Sequence, residues 1–144
     1  MIVVDSSVWV DFFNGRGTPQ TSRLQSLMGE EPLLVGDVIL CELLQGARTE
    51  AHAKELEKQL RKFQLVPMLD ADLAVAAAKN YRQLRGEGIT VRKTIDLIIG
   101  TFCIVRGHHL LHADRDFEPM EAHLKLKVIK GGLVGARALG LELR

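Results

Sequence analysis

Short runs of Val, Ile and Leu recur along the chain at residues 2–4, 33–35, 64–66, 109–112 and 127–129, and between them apolar positions return every three or four residues. The runs have the length of buried strands, and the intervening pattern has the period of a helix. Strands that alternate with helices predict parallel βαβ units, and so an α/β fold: a central parallel sheet of about five strands flanked by helices.

Helix starts are marked by Thr18-Pro19, by Asp37 ahead of residues 38–44, by Asp70 ahead of 73–84 and by Thr94 ahead of 95–105. Gly29, Gly46, Gly86 and Gly107 mark the stops. The stretch "TEAHAKELEKQLRKF" alternates acids and bases at helical spacing with Leu56, Leu60 and Phe63 on one face, which predicts a solvated amphipathic helix.

A chain of 144 residues is the size of one domain, and the pattern assigns that domain to residues 1–130. Residues 131–144 form a Gly- and Leu-rich C-terminal extension to which the sequence assigns no role. With 47% hydrophobic and 26% charged residues, the chain is neither disordered nor fibrous. A net charge of +1 provides no global attraction for a polyanion, so such a partner has to be held by a local patch. No apolar run reaches the roughly 18 residues of a spanning helix, and no leader-like segment follows Met1, so a cytoplasmic protein without a membrane partner is expected. Cys41 and Cys103 lie in apolar segments without metal-type spacing and read as reduced core residues rather than zinc ligands.

Carboxylates stand where a core is expected. Asp5 ends "MIVV", Glu42 sits in "DVILCELLQG", Asp96 in "TIDLIIGTFCIV", and Asp114 and Asp116 follow "HHLLHA". Taken singly, Asp5 or Asp114 can cap a following helix, Asp96 can be a first-turn acid favoured by the helix dipole, and Glu42 can be solvated. Taken together, acids at the carboxyl ends of neighbouring strands and near the starts of adjoining helices converge on one crevice. Like charges held that close need a cation. Oxygen ligands without His or Cys suit Mg²⁺ or Mn²⁺.

The segments "IVVDSSVW", "ELLQG", "TIDLIIGTFCIVRG" and "LLHADRDF", in that order, resemble the PIN-domain family and specifically the VapC-type toxins of bacterial toxin–antitoxin pairs. The resemblance implies a metal-dependent endoribonuclease with Asp5, Glu42, Asp96, Asp114 and Asp116 as its acids; Asp5, Asp96 and Asp114 are the foremost candidate metal ligands, with Glu42 ligating or orienting the nucleophile. It further implies an RNA substrate, a VapB-type antitoxin, a homodimer and a toxin–antitoxin hetero-oligomer.

Arg48, Arg82, Arg85, Arg92 and Lys93 are candidates to hold flanking phosphates. Arg92 and Lys93 precede the helix that carries Asp96, whose N-terminus itself favours anions, and with Ser7 they form the substrate-binding set. Ser7 is placed to hydrogen-bond either an acid or a phosphate oxygen. His108, His109 and His112 invite a metal-free imidazole mechanism, but alternate residues of a strand face opposite ways, so at most two share a site. His52 and His123 read as surface residues, and Trp9, Val8, Phe12 and Phe13 as core or subunit interface.

A haloacid-dehalogenase phosphatase requires a second Asp where Ser7 stands, and a response-regulator receiver requires adjacent acids after the first strand. A binding module that kept the fold and lost turnover is the remaining alternative, and the complete set of acids counts against it.

Overall fold

The computed structural model describes residues 1–131. The elements are β1 (Ile2–Val4), α1 (Ser6–Phe13), α2 (Pro19–Leu27), β2 (Leu33–Gly36), α3 (Asp37–Gln45), α4 (Glu50–Leu60), β3 (Gln64–Val66), α5 (Ala71–Gly86), α6 (Thr94–Arg106) and β4 (His109–Leu111). A 3₁₀ turn (Arg115–Phe117) and α7 (Glu118–Leu124) follow. The strands pair in parallel in the order β3-β2-β1-β4. The chain thus runs outward from β1 through β2 to β3 and returns to the far side of β1 as β4. That reversal makes the β1–β4 boundary the switch point of the sheet, where open α/β folds form a crevice beyond the strand ends.

The described sheet has four strands rather than five. Of the expected strand at 127–129, only Val128 forms a bridge, parallel to Leu110. Upstream of it α7 runs to Leu124 and closes on Lys125 in the left-handed conformation (φ 62°), which turns the chain back toward the sheet edge. Two backbone bonds, Leu110 N–H to Lys127 O and Ile129 N–H to Leu110 O, lay this strip along β4. The extension expected at 131–144 lies, apart from Gly131, outside the described residues.

Helix ends follow local chemistry. Thr18 and Thr21 form a reciprocal capping box at α2, and Asp70 and Thr49 cap α5 and α4 through their side chains. Asp37 is the first residue of α3 rather than its cap, and its carboxylate accepts the amides of Val38 and of Met68 beyond β3. Gly107 closes α6 at φ 72°. Helix α5 continues through Gly86, and Gly88 makes the left-handed turn instead. The 3₁₀ turn and α7 are not expected from the sequence pattern, because "RDFEPMEAHL" is too short to display a helical period.

The core runs from the sheet into α6, where every residue from Asp96 to Cys103 is buried. A helix buried on all sides has no polar face to give away, which makes an acid within it conspicuous. At Gly100 a Cβ would collide with Met120 Sδ, so glycine leaves room for the buried Met120 side chain of α7 against α6. Trp9 and Val8 are fully buried, and Trp9 stacks on Phe13 and touches Phe63 of the loop after α4. Cys103 is buried as expected. Cys41 is exposed, contrary to expectation: Ile39 and Leu43, two positions to either side, occupy the core face of α3 and turn Cys41 outward. Among the described residues no helix is long and apolar enough to cross a membrane.

Candidate active site

Asp5 follows β1 at the switch point. Its amide bonds to Leu111 O of β4 at 2.9 Å, and its carboxylate caps α1. The two carboxylate oxygens have different surroundings. Oδ2 accepts the Ser7 amide at 3.0 Å and the Ser7 hydroxyl at 2.6 Å, whereas Oδ1 is buried without a partner. Capping and a site role therefore coexist in one side chain.

Across the crevice Asp114 repeats the arrangement. It caps the 3₁₀ turn, and its Oδ1 accepts the Asp116 amide at 2.9 Å. The Ala113 amide bonds to Ser7 Oγ at 3.0 Å, tying the end of β4 to the start of α1. Asp96 enters from the first turn of α6, 5% exposed, with Oδ2 buried and unpartnered. Carboxylate oxygens of Asp96, Asp114 and Asp116 lie within 4.8 Å of one another. Glu42, half-buried on α3, accepts the Ser6 hydroxyl on Oε1 at 2.9 Å.

These acids strain one another. Burial pushes the Asp96 carboxyl up to about 7, and the charges of Asp5 and Asp114 add to it while Lys93 opposes. Burial raises Asp5 as well, against the lowering effect of its Ser7 hydrogen bonds, and Asp114 raises it further. Glu42 is raised by burial, partly offset by Ser6, and by Asp5. A buried carboxylate oxygen without a donor is costly, and two of them beside further carboxylates are best compensated by a cation. Among hard cations the all-oxygen donor set fits Mg²⁺ or Mn²⁺.

A profile described as the PIN domain matches residues 2–122. The chain belongs to the PIN-domain family. This PIN domain is 32% identical over 123 residues to VapC ribonuclease Mb1587 of Mycobacterium bovis and to Ribonuclease VapC11 of Mycobacterium tuberculosis, spanning 82% of this chain and 90% of either relative. Its fold matches that of VapBC2 from Rickettsia felis, solved with a promoter DNA fragment, at TM-score 0.71 and 16% identity over 90% of this chain and 98% of that one. It also matches the sarcin-ricin-loop-cleaving toxin VapC20 of Mycobacterium tuberculosis at TM-score 0.62 and 17% identity, covering 82% of this chain and 93% of that one.

The structure of this PIN domain gathers all five acids singled out in the sequence at one sheet edge. The closest group of three contains Asp116 rather than Asp5, which sits deeper. Ser7 faces the acid: its proton goes to Asp5 and its lone pairs to Ala113, which leaves no hydroxyl proton for a phosphate. Arg92 reaches Asp116 at 3.0 Å and Lys93 stands 4.0 Å from Asp114, both largely exposed. Arg82 and Arg85 instead border an apolar groove between α5 and α6 with Tyr81 and Leu97, and Arg48 lies outside this cluster on the loop before α4. A groove of about 760 Å³ opens beside the acids, lined by Arg92, Asp114, Arg115, Asp116, Pro119 and His123.

Two residues were missed in the sequence, Ser6, which holds Glu42, and Glu121; His112, weighed there only for an imidazole mechanism, instead lies with Glu121 behind Asp114. The "DSS" motif contained a signal for Ser6. Glu121 had none, since its helix was not foreseen.

Proposed function

We propose that this PIN domain is a divalent-metal-dependent endoribonuclease, the toxin of a VapBC-type toxin–antitoxin pair. The observation that carries the reading is the pair of buried, unpartnered oxygens, Asp5 Oδ1 and Asp96 Oδ2, set against Asp114 and Asp116 at the switch point. The naming of its 32%-identical relatives as VapC ribonucleases supports the reaction. Asp5, Asp96 and Asp114 would hold the ion, Mg²⁺ or Mn²⁺, with Glu42 and Asp116 completing the acidic set.

When bound, the ion supplies activation of water and charge stabilisation at phosphorus. The chain's own groups do the rest. Glu42 has Oε1 committed to Ser6, and its raised proton affinity suits it to take a proton at Oε2. Arg92 and Lys93, at the N-terminus of α6, hold phosphates flanking the scissile bond, and an arriving phosphate competes with Asp116 and Asp114 for them. The groove beside the acids has room for the adjoining nucleotides.

VapBC assemblies among the fold neighbours support a VapB-type antitoxin as partner in a hetero-oligomer; the toxin homodimer within it is proposed from the family resemblance. A cytoplasmic location is part of the same proposal.

The test is cleavage of total RNA by purified protein with Mg²⁺ or Mn²⁺, with EDTA, and with Asp5→Asn or Asp96→Asn. Discrete fragments that vanish with chelator and with either substitution support the nuclease. Cleavage indifferent to both, or absent throughout, overturns it in favour of a binding module.

A further inference from the structure

The loop that carries Asp114 belongs to no strand or helix, yet its backbone is fixed. His112, the residue after β4, has a side chain only 9% exposed. Its Nδ1 accepts the Asp114 amide at 3.1 Å, its Nε2 lies 3.2 Å from Glu121 Oε2, and its ring leans on Phe117 with centroids 4.9 Å apart. A backbone amide can only donate, so Nδ1 presents a lone pair, and the ring proton sits on Nε2 facing Glu121. Glu121 is held from its other oxygen by Lys130 at 3.4 Å.

The bond from the Asp114 amide back to a side chain two residues earlier has the geometry an Asx residue uses in a turn, with an imidazole in place of the carbonyl. Unlike Asn or Asp, the imidazole offers a second nitrogen, which anchors the turn to α7. The next amide upstream, that of Ala113, is held by Ser7 from α1. The position of Asp114 is thereby referred to two separate elements.

We propose that His112, oriented by Glu121, is a positioning residue that sets Asp114 for metal binding and RNA cleavage; this deepens the nuclease reading and rests on it. Two conservative variants divide its contacts. His112→Asn keeps an acceptor at the turn position and loses the link to α7. His112→Gln can reach Glu121 and lacks the acceptor for the Asp114 amide.

The experiment compares wild type, His112→Asn and His112→Gln in four readouts: Mn²⁺ binding by calorimetry, amide hydrogen exchange at Asp114 in EDTA, kcat and KM for RNA, and thermal melting. The expected result is that His112→Gln speeds exchange at Asp114, weakens Mn²⁺ binding about tenfold or more and lowers kcat with KM unchanged, as for loss of other partners behind a metal ligand. His112→Asn restores slow exchange and Mn²⁺ affinity towards wild type even where its melting temperature is lower. Equal Mn²⁺ affinity and equal Asp114 exchange in the two variants, with only melting affected, would show that His112 merely fills space and overturn the proposal. Failure of the nuclease reading looks different: the wild type itself then neither binds Mn²⁺ nor cleaves, which removes the proposed role along with the reading.

Discussion

Replacing Asp96 with Asn separates the strain of the acidic site from its function. In the metal-free protein the carboxyl binds its proton with a pKa near 7, against an ordinary 3.8, because it is buried among Asp5, Asp114 and Glu42. The folded state therefore holds this proton more tightly than the unfolded chain, so stability falls as pH rises through the interval between the two values. Below about 4 there is no penalty; above about 7 it is complete, on the order of 4 kcal/mol at 1.36 kcal/mol per pH unit. Asn removes the charge and with it the penalty. At about 3 °C per kcal/mol for a domain of this size, Asp96→Asn should melt roughly 10 °C above wild type at pH 7.5 in EDTA, with little difference at pH 4. Added Mg²⁺ should raise the wild type and leave the variant unmoved, while RNA cleavage is lost in the variant. Calorimetric melts at the two pH values, with and without Mg²⁺, provide the readout. An Asn variant that melts below wild type by a similar margin at both pH values would refute the argument, because Asp96 would then be held by favourable contacts rather than strained by its neighbours.

Asp5→Asn preserves a competent helix cap and relieves a buried charge, so at neutral pH in EDTA it should melt no lower than wild type, yet lose cleavage by at least about a hundredfold, since only the carboxylate supplies the anionic Oδ1; steady-state kinetics with melting as control would check this. Ser7→Ala leaves the Ala113 amide without its acceptor and Asp5 without its shortest bond, and should lower stability by about 1–3 kcal/mol in urea denaturation. Arg92→Gln should leave melting unchanged and reduce the slope of log affinity against log salt for RNA by about one, because its pairing with Asp116 is exposed while its phosphate contact is electrostatic. Gly100→Ala forces the fully buried Met120 side chain to repack and should cost about 1–3 kcal/mol, measurable by denaturant unfolding with the m-value unchanged.

The strands, their parallel arrangement and the five acids could be read from the sequence because each leaves a local trace: a short run of Val, Ile or Leu, or a charge inside or beside an apolar segment. Asp96 is the clearest case, an acid in a helix with no polar face. Other features depend on long-range contacts and leave no such trace. Cys41 looked apolar by its neighbours, but its exposure is decided by which face of α3 meets the sheet. The fifth strand is reduced to a single parallel bridge at Val128, held to β4 by two backbone bonds, and how far a short strip pairs is decided by its neighbour rather than by its own residues. Ser7 allowed two readings in sequence, and its hydroxyl proton goes to Asp5 Oδ2, while its bond from the Ala113 amide, more than a hundred residues away, left no trace in the sequence.

The sheet has a further consequence outside its catalytic edge. Its outer strand β3 is three residues long, and its other flank is already covered by the strip at 127–129. A sheet so short at one margin and occupied at the other provides few free backbone rungs to an incoming strand, which guards against edge-to-edge aggregation. A protein that binds this domain is accordingly steered toward helix surfaces and side-chain grooves, where recognition rests on shape and charge instead of main-chain pairing.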